Sequence, residues 1–144
     1  MHLIKLKDKK GRDIIIEYQT LARHILIQTS EIRSEKQAKD LIEDLYNRSQ
    51  NEDKFSDLAR LYSADPGSKM EGGELSWTGP GRFDPKFEEV MDSLEINQVS
   101  KPFKSNFGWH IVEVLDRREE DISLNIQKNR AYQILFDRKY EEQL

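Results

Sequence analysis

Residues 107 to 114 read Phe-Gly-Trp-His-Ile-Val-Glu-Val, an apolar, β-branched run with the signature of a buried strand. His110 stands in the middle of its apolar face, where an imidazole needs hydrogen-bond partners to offset the loss of water. A second such run, Ala22-Arg23-His24-Ile25-Leu26-Ile27, is closed by the polar Gln28-Thr29-Ser30 and puts His24 on the face of Ala22 and Leu26. Two distant strands, each with a histidine on its apolar side, restrict the possible folds more than any other feature. Taken singly, such a histidine is more often a satisfied core residue than a catalyst. The same pattern opens the chain, where His2-Leu3-Ile4-Lys5-Leu6 echoes His110-Ile111-Val112-Glu113-Val114, and His2 keeps the core reading.

Between the two strands the chain reads as helices around a shaped loop. Ser34-Glu35-Lys36-Gln37 is a capping box, followed by Ala38, Leu41, Ile42 and Leu45 at helical spacing, which predicts a helix over about residues 34–49. A shorter helix follows Asp53, with Phe55, Leu58, Ala59 and Tyr62 on one stripe, and stops near Ser63 because Asp65-Pro66-Gly67 forces a turn. From Asp65 to Pro85 the chain holds most of its glycines and three of its four prolines, with Gly72-Gly73 at the centre. Loops of this kind on a rigid frame are where sites sit. Asp84 with Pro85 opens a third helix, whose inward face is Phe87, Val90, Met91 and Leu94. Val99 to Lys104 is expected as an edge strand that tolerates Pro102, and Trp109 to Leu115 as the closing strand. Ahead of all this, residues 2–6 form a strand, Asp8 to Gly11 a turn, and Ile14 to Ile16 an extended stretch. Arg117 to Asp121 reads as a charged, solvated link into a helix over about residues 122–143 whose apolar residues cover more than one face.

Composition excludes several classes. The 144 residues suit one domain with extensions, and 36% apolar against 35% charged residues is polar but foldable. With 23 basic and 27 acidic residues and no long basic block, nucleic acid is not an expected partner. No cysteine is present, so disulfides and thiolate metal sites are excluded. No apolar run approaches the roughly 18 residues that span a bilayer. If the protein is exported, its signal lies outside this chain.

The order ARHILI, SADPGSKMEGGELSW, FDPKFEEVMDSL and FGWHIVEV resembles the parvulin family of peptidyl-prolyl cis/trans isomerases over about residues 20–117. The resemblance implies an α+β fold, a four-stranded, mostly antiparallel sheet surrounded by helices, to which a C-terminal helix is added here. It implies that the first and last strands lie together at the sheet centre, so that His24 and His110 hydrogen-bond beneath a substrate pocket. The whole chain is similar to tandem-parvulin chaperones of the bacterial periplasm. On that reading residues 1–19 are the end of a preceding parvulin domain with its linker, 20–117 the isomerase domain and 118–144 a helical segment that docks elsewhere.

Position by position, the resemblance makes Leu75, Phe83 and Phe87 the cup for the proline ring and His24 and His110 the imidazole pair, with Ser105 as a neighbouring hydroxyl. Asp65 falls where some eukaryotic parvulins carry cysteine. A carboxylate and a thiol are poorly interchangeable nucleophiles, which argues for an electrostatic role, with turn initiation as the alternative. Trp77 is counted with the substrate-binding residues, the alternative being cover for the core. The loop Gln28 to Arg33 has one arginine beside an acid, so phosphoserine-proline selectivity is not expected. His24, His110 and Asp65 are metal-ligand types, but the histidines lack an i, i+4 spacing; no metal or cofactor is expected.

Two functions follow. One is an isomerase acting on unfolded or extended polypeptide, proline-containing or aromatic-rich, as part of a chaperone for outer-membrane proteins. The alternative is a catalytically silent parvulin fold used as a peptide-binding module. The terminal segments are expected to pack on each other or to join copies of the chain.

Overall fold

The computed structural model describes residues 3–7 and 13–123. The helix expected beyond Ile122 and the turn expected at Asp8 to Gly11 lie outside the described residues. The chain divides into two units: residues 19–118, and residues 1–18 together with 119–144.

The larger unit is built on the four-strand sheet of the α+β parvulin fold, in the order β3-β2-β5-β4. The strands are β2 (Asp13–Ile27, from Gln19 onward in this unit), β3 (Glu74–Thr78), β4 (Phe103–Ser105) and β5 (Gly108–Asp121, to Arg118 in this unit). The expected first and last strands of the domain are neighbours at its centre. Successive side chains of a strand point to opposite faces. Ile25, Ile27 and Ile111 therefore go to one face, and Ala22, His24, Leu26, His110, Val112 and Val114 to the other. Both faces are covered, which is why these strands read as continuous apolar runs.

The first face packs against α1 (Glu35–Ser49) and α2 (Phe55–Tyr62) through Ala38, Ile42, Leu45, Phe55, Leu58 and Ala59. The capping box forms as the sequence specifies, with Gln37 N–H on Ser34 Oγ at 3.1 Å and Ser34 N–H on Gln37 Oε1 at 2.8 Å. The cap of α2 is Lys54, without a side-chain bond; Asp53 instead takes Arg48 Nε at 2.7 Å. The second face packs against α3 (Pro85–Ser93) through Phe87 and Met91, joined by Leu94 and Phe103. Asp84 caps α3 by accepting Lys86 N–H at 2.9 Å.

Three elements depart from the expectations. The region from Asp65 to Pro85 is not all loop, because Glu74–Thr78 forms β3 beside β2. The edge strand is shorter than Val99 to Lys104: Pro102 has no N–H, the ladder with β5 begins at Phe103, and Val99 makes only an isolated bridge to Glu113. The charged stretch after Asp116 is strand, not link, since β5 runs on to Asp121.

The smaller unit is described on its own. Within it β1 (Leu3–Lys7) pairs antiparallel with the start of β2, from Leu3↔Glu17 to Lys7↔Asp13, and Ile122 N–H bonds Ile15 O at 2.9 Å. The hairpin supplies the backbone partners that charged residues 119 to 121 need to remain extended.

The loop after α2 is fastened to β2 at Gly73, where His24 N–H donates to Gly73 O at 2.9 Å. Gly73 has φ +85°, and a Cβ there would run into the carbonyl of His24. Both demands require glycine. Gly73→Ala is expected to lower stability by about 3 kcal/mol or more in urea titration, because strain and collision combine. A loss under about 1 kcal/mol would show that the loop does not sit against β2.

Candidate active site

The pairing of β2 with β5 brings the two imidazoles together on the α3 face. His24 Nδ1 lies 3.2 Å from His110 Nδ1, and the rings stack with centroids 5.4 Å apart and 19° between planes. Both are buried, at 7% and 3% exposure, so water cannot serve their nitrogens in place of protein groups. Phe87 meets both rings edge-on, at 5.5 Å and 5.3 Å, and Phe103 stacks on His110 at 5.3 Å.

Each end of the pair has a partner. His24 Nε2 is 2.7 Å from Asp65 Oδ2, and Ser105 Oγ is 2.6 Å from His110 Nε2. Asp65 reaches His24 because the end of α2 is tied to β2: Ser63 Oγ accepts Leu26 N–H at 3.2 Å, and Ala64 N–H donates to Leu26 O at 2.6 Å. Asp65 also starts the turn, with Gly67 N–H on Oδ1 at 3.1 Å, while Ser68 Oγ–H donates to Oδ2 at 2.7 Å. One oxygen of the carboxylate thus serves the turn, and the other meets His24 and Ser68.

These contacts fix the proton positions. Burial is the main cause that lowers the pKa of His24, against the pull of Asp65. Burial, then the neighbouring charge of His24, pushes His110 down to about 4. Both rings are therefore neutral near pH 7, each with one donor and one acceptor. Burial would raise Asp65, but the hydrogen bonds from Ser68 and His24, the electrostatic pull of His24 and the Gly67 N–H together leave the carboxyl below its ordinary value. An ionised carboxylate only accepts, so His24 Nε2 carries the proton and Nδ1 accepts. His110 Nδ1 must then donate, and its Nε2 accepts from the Ser105 hydroxyl, whose oxygen accepts Phe107 N–H at 3.1 Å. The hydrogen bonds all run one way, from Phe107 to Asp65.

Above the pair opens a hollow of about 230 Å³, whose apolar lining is Leu26, Leu75, Phe83, Phe87 and Phe107 and whose polar lining is the two histidines with Asp65 and Asp84. Leu75, Phe83 and Phe87, expected as a cup, do share one opening. Phe83 and Phe87 have ring centroids 5.0 Å apart, Phe83 standing just before the Asp84 cap and Phe87 in the first turn of α3. Ser105 stays behind His110 and lines a neighbouring polar hollow with Gln28, Thr29, Glu35 and Lys104; Phe107 borders both.

Trp77 departs from the expectation. Leu75 and Trp77 would share a face in a regular strand, but Ser76 has φ +62° and the register slips between Leu21 and Arg23. This bulge separates them. Leu75 turns to the hollow, while Trp77 is not among its lining residues and takes the guanidinium of Arg118 over its ring at 4.3 Å.

Sequence reasoning did not single out Leu26, Phe107, Asp84 or Ser68. Leu26 was legible from its period of two with His24. Asp84 was legible only as a cap; its second oxygen accepts Asn106 Nδ2 at 3.0 Å and ties the β4–β5 turn to the start of α3. Among the described residues, no group of three or more histidine, cysteine or acidic side chains is arranged to hold a metal ion.

A sheet with its paired central histidines between helices, under an apolar hollow, defines a parvulin-type domain. The chain belongs to the PPIC-type PPIase domain family, which matches residues 1–118. Along almost its whole length it is similar to proteins named Chaperone SurA. It is 44% identical over 142 residues to that of Pseudomonas fluorescens, covering 99% of this chain and 33% of the relative. It is 42% identical to that of Pseudomonas aeruginosa, covering 99% and 34%. The chain thus spans about a third of the length of the curated relatives it matches. Among solved structures, the peptidylprolyl isomerase PrsA of Bacillus cereus aligns with TM-score 0.63 and 32% identity over 88% of this chain and 47% of that one. A SurA-like chaperone structure from Campylobacter jejuni aligns with TM-score 0.57 and 27% identity, over 88% and 54%.

The depressed imidazoles set a pH dependence of stability. An unfolded histidine titrates near 6.5, whereas His110 titrates near 4 when folded. Between these values the unfolded chain binds the proton more readily, so stability rises with pH. The contribution is complete above about pH 6.5 and lost as pH falls through the folded value. Asp65, also depressed, adds stability that is lost only below the ordinary carboxylate range. The urea midpoint is expected to fall on acidification from about pH 7 to about pH 4.5, and His110→Gln to flatten that slope.

Proposed function

We propose that this domain accelerates cis/trans isomerisation of X-Pro bonds in extended, unfolded polypeptide. The observation that carries the reading is the apolar hollow floored by a neutral imidazole pair. Its volume, about 230 Å³, is below the roughly 300 to 1,000 Å³ of drug-sized ligand sites and suits one small ring with its adjoining amide.

The reaction breaks no bond. Amide resonance raises a rotational barrier of about 18–20 kcal/mol, and uncatalysed X-Pro exchange takes tens to hundreds of seconds. Catalysis requires that the twisted amide be held better than either planar form. Phe83, Phe87 and Leu75 would grip the proline ring, leaving the preceding carbonyl to turn over His24 and His110. Twisting takes electron density from the carbonyl oxygen, and the Asp65–His24–His110–Ser105 chain supplies fixed dipoles to that change.

The mechanism is non-covalent in this reading. The Asp65 carboxylate is engaged by Ser68, His24 and Gly67, which leaves it poorly placed to attack a carbonyl. The reading takes the site as not phosphate-selective: the loop Gln28 to Arg33 offers one arginine beside an acid, and Lys104 beside the neighbouring hollow is paired with Glu35 at 2.7 Å. Residues 20–117 are the isomerase domain, and the flanking segments belong to adjoining parts of a longer chain. The relatives named Chaperone SurA support a chaperone setting, and we extend this to a periplasmic location with unfolded outer-membrane proteins as clients.

In a protease-coupled or NMR exchange assay on a short Leu-Pro peptide, Phe83→Ala and Asp65→Ala are each expected to reduce acceleration about tenfold or more, or about 1.4 kcal/mol of barrier. If the parent domain gives no acceleration, the isomerase reading fails and the silent peptide-binding module replaces it.

A further inference from the structure

We propose that Ser68 is a positioning residue of the site, setting the direction of the hydrogen bonds through both histidines although it does not line the hollow. The inference deepens the isomerase reading and, as regards catalysis, rests on it.

Ser68 is 2% exposed, in the loop between α2 and β3. Its backbone is already satisfied: Ser68 N–H donates to Asp65 O at 3.3 Å, and Ser68 O accepts Gly73 N–H at 2.8 Å and Glu71 N–H at 3.0 Å. The turn does not need its hydroxyl. That hydroxyl is spent on Asp65 Oδ2, the same oxygen that receives His24 Nε2.

Two consequences follow for the carboxylate. Gly67 N–H holds Oδ1 and Ser68 holds Oδ2, so the carboxylate plane is fixed at two points and Oδ2 faces the ring. The second donor also favours the ionised form, to which Ser68 contributes the largest lowering influence on the Asp65 pKa. An ionised Oδ2 can only accept, which keeps the proton on His24 Nε2 and obliges His110 to carry its proton on Nδ1. A mobile or partly protonated Asp65 would release that constraint. The Ser68 hydroxyl thus acts through Asp65 and His24 on His110, across three hydrogen bonds.

The test is imidazole nitrogen NMR on the 144-residue chain. The wild type should show His24 protonated on Nε2 and His110 on Nδ1. Ser68→Ala should move both rings toward mixed tautomers and slow isomerisation about threefold to tenfold, or about 0.7–1.4 kcal/mol. Ser68→Thr, which keeps the hydroxyl, should restore the wild-type signals. Where the alanine variant does not fold, Ser68→Cys, similar in size with a weak S–H donor, is read in the same way. Unchanged tautomers in a folded Ser68→Ala or Ser68→Cys chain overturn the inference. The absence of isomerisation in the wild type overturns the isomerase reading instead, and the nitrogen signals still report on Ser68.

Discussion

The lateral pairing of β2 with β5 joins residues 86 positions apart in the sequence, and the site depends on it. That contact closes the long loop containing every helix and the other two strands of the larger unit, so the entropy of closure must be met by what the pairing buries. It also creates a demand that the rest of the site meets. Two imidazoles side by side in a dry setting cannot both be charged, and as neutral rings they need one acceptor at one end and one donor at the other. Asp65 and Ser105 fill those places from opposite directions, one from the loop after α2 and one from β4. Among the described residues no buried side-chain nitrogen or oxygen lacks a partner. The network is complete, and completeness is what makes a buried polar network tolerable.

The opposite face of the sheet fixes the register on which this depends. Arg23 and Glu113 bridge β2 and β5 with Nε to Oε1 at 2.6 Å, and the same guanidinium lies 5.2 Å over the Phe55 ring of α2. A slip of one residue would break that pair and turn the histidine of the slipped strand to the helical α1–α2 side, away from its partner. An ion pair of this partial burial adds little net stability. Its effect here is selection among alignments, since apolar residues flank both histidines on both strands and would accept a slipped register with less penalty.

Much of this was legible in the sequence because the signals are local and unambiguous. Ser34 to Gln37 specify a capped start, Asp84-Pro85 another, and the two apolar runs identify the central strands. Three features were hidden for identifiable reasons. Ser76 adopts a positive φ without being glycine, so nothing in the residue type announced the bulge that turns Trp77 from Leu75. The stretch Arg117 to Asp121 has no apolar face, and its strand character comes from backbone partners rather than side chains. Ser68 is a common residue in a turn, and its link to Asp65 exists only once Gly72 and Gly73, both with positive φ, have folded the loop back. Of the candidate site residues, those on the central strands and α3 had their faces set by periodicity and their roles only by the family resemblance, whereas their hydrogen-bond directions required the geometry.

The neutrality of the pair limits what kind of field the hollow can present. Of the two carboxylates that line it, Asp65 is compensated by three donors and Asp84 is occupied by the α3 cap and Asn106. A substrate carbonyl above the rings would therefore meet oriented bonds more than net charge. For the isomerisation proposed above, whose transition state gains no formal charge, this is the better arrangement. An unscreened ion would hold the polar planar amide at least as firmly as the twisted one, and uniform binding of that kind leaves the barrier where it was. Dipoles fixed by a continuous hydrogen-bond chain cannot swing to follow the planar carbonyl, so they can favour one orientation over another. The rigidity of the chain from Phe107 to Asp65, rather than the acidity or basicity of any member, is the property the site has been built to keep.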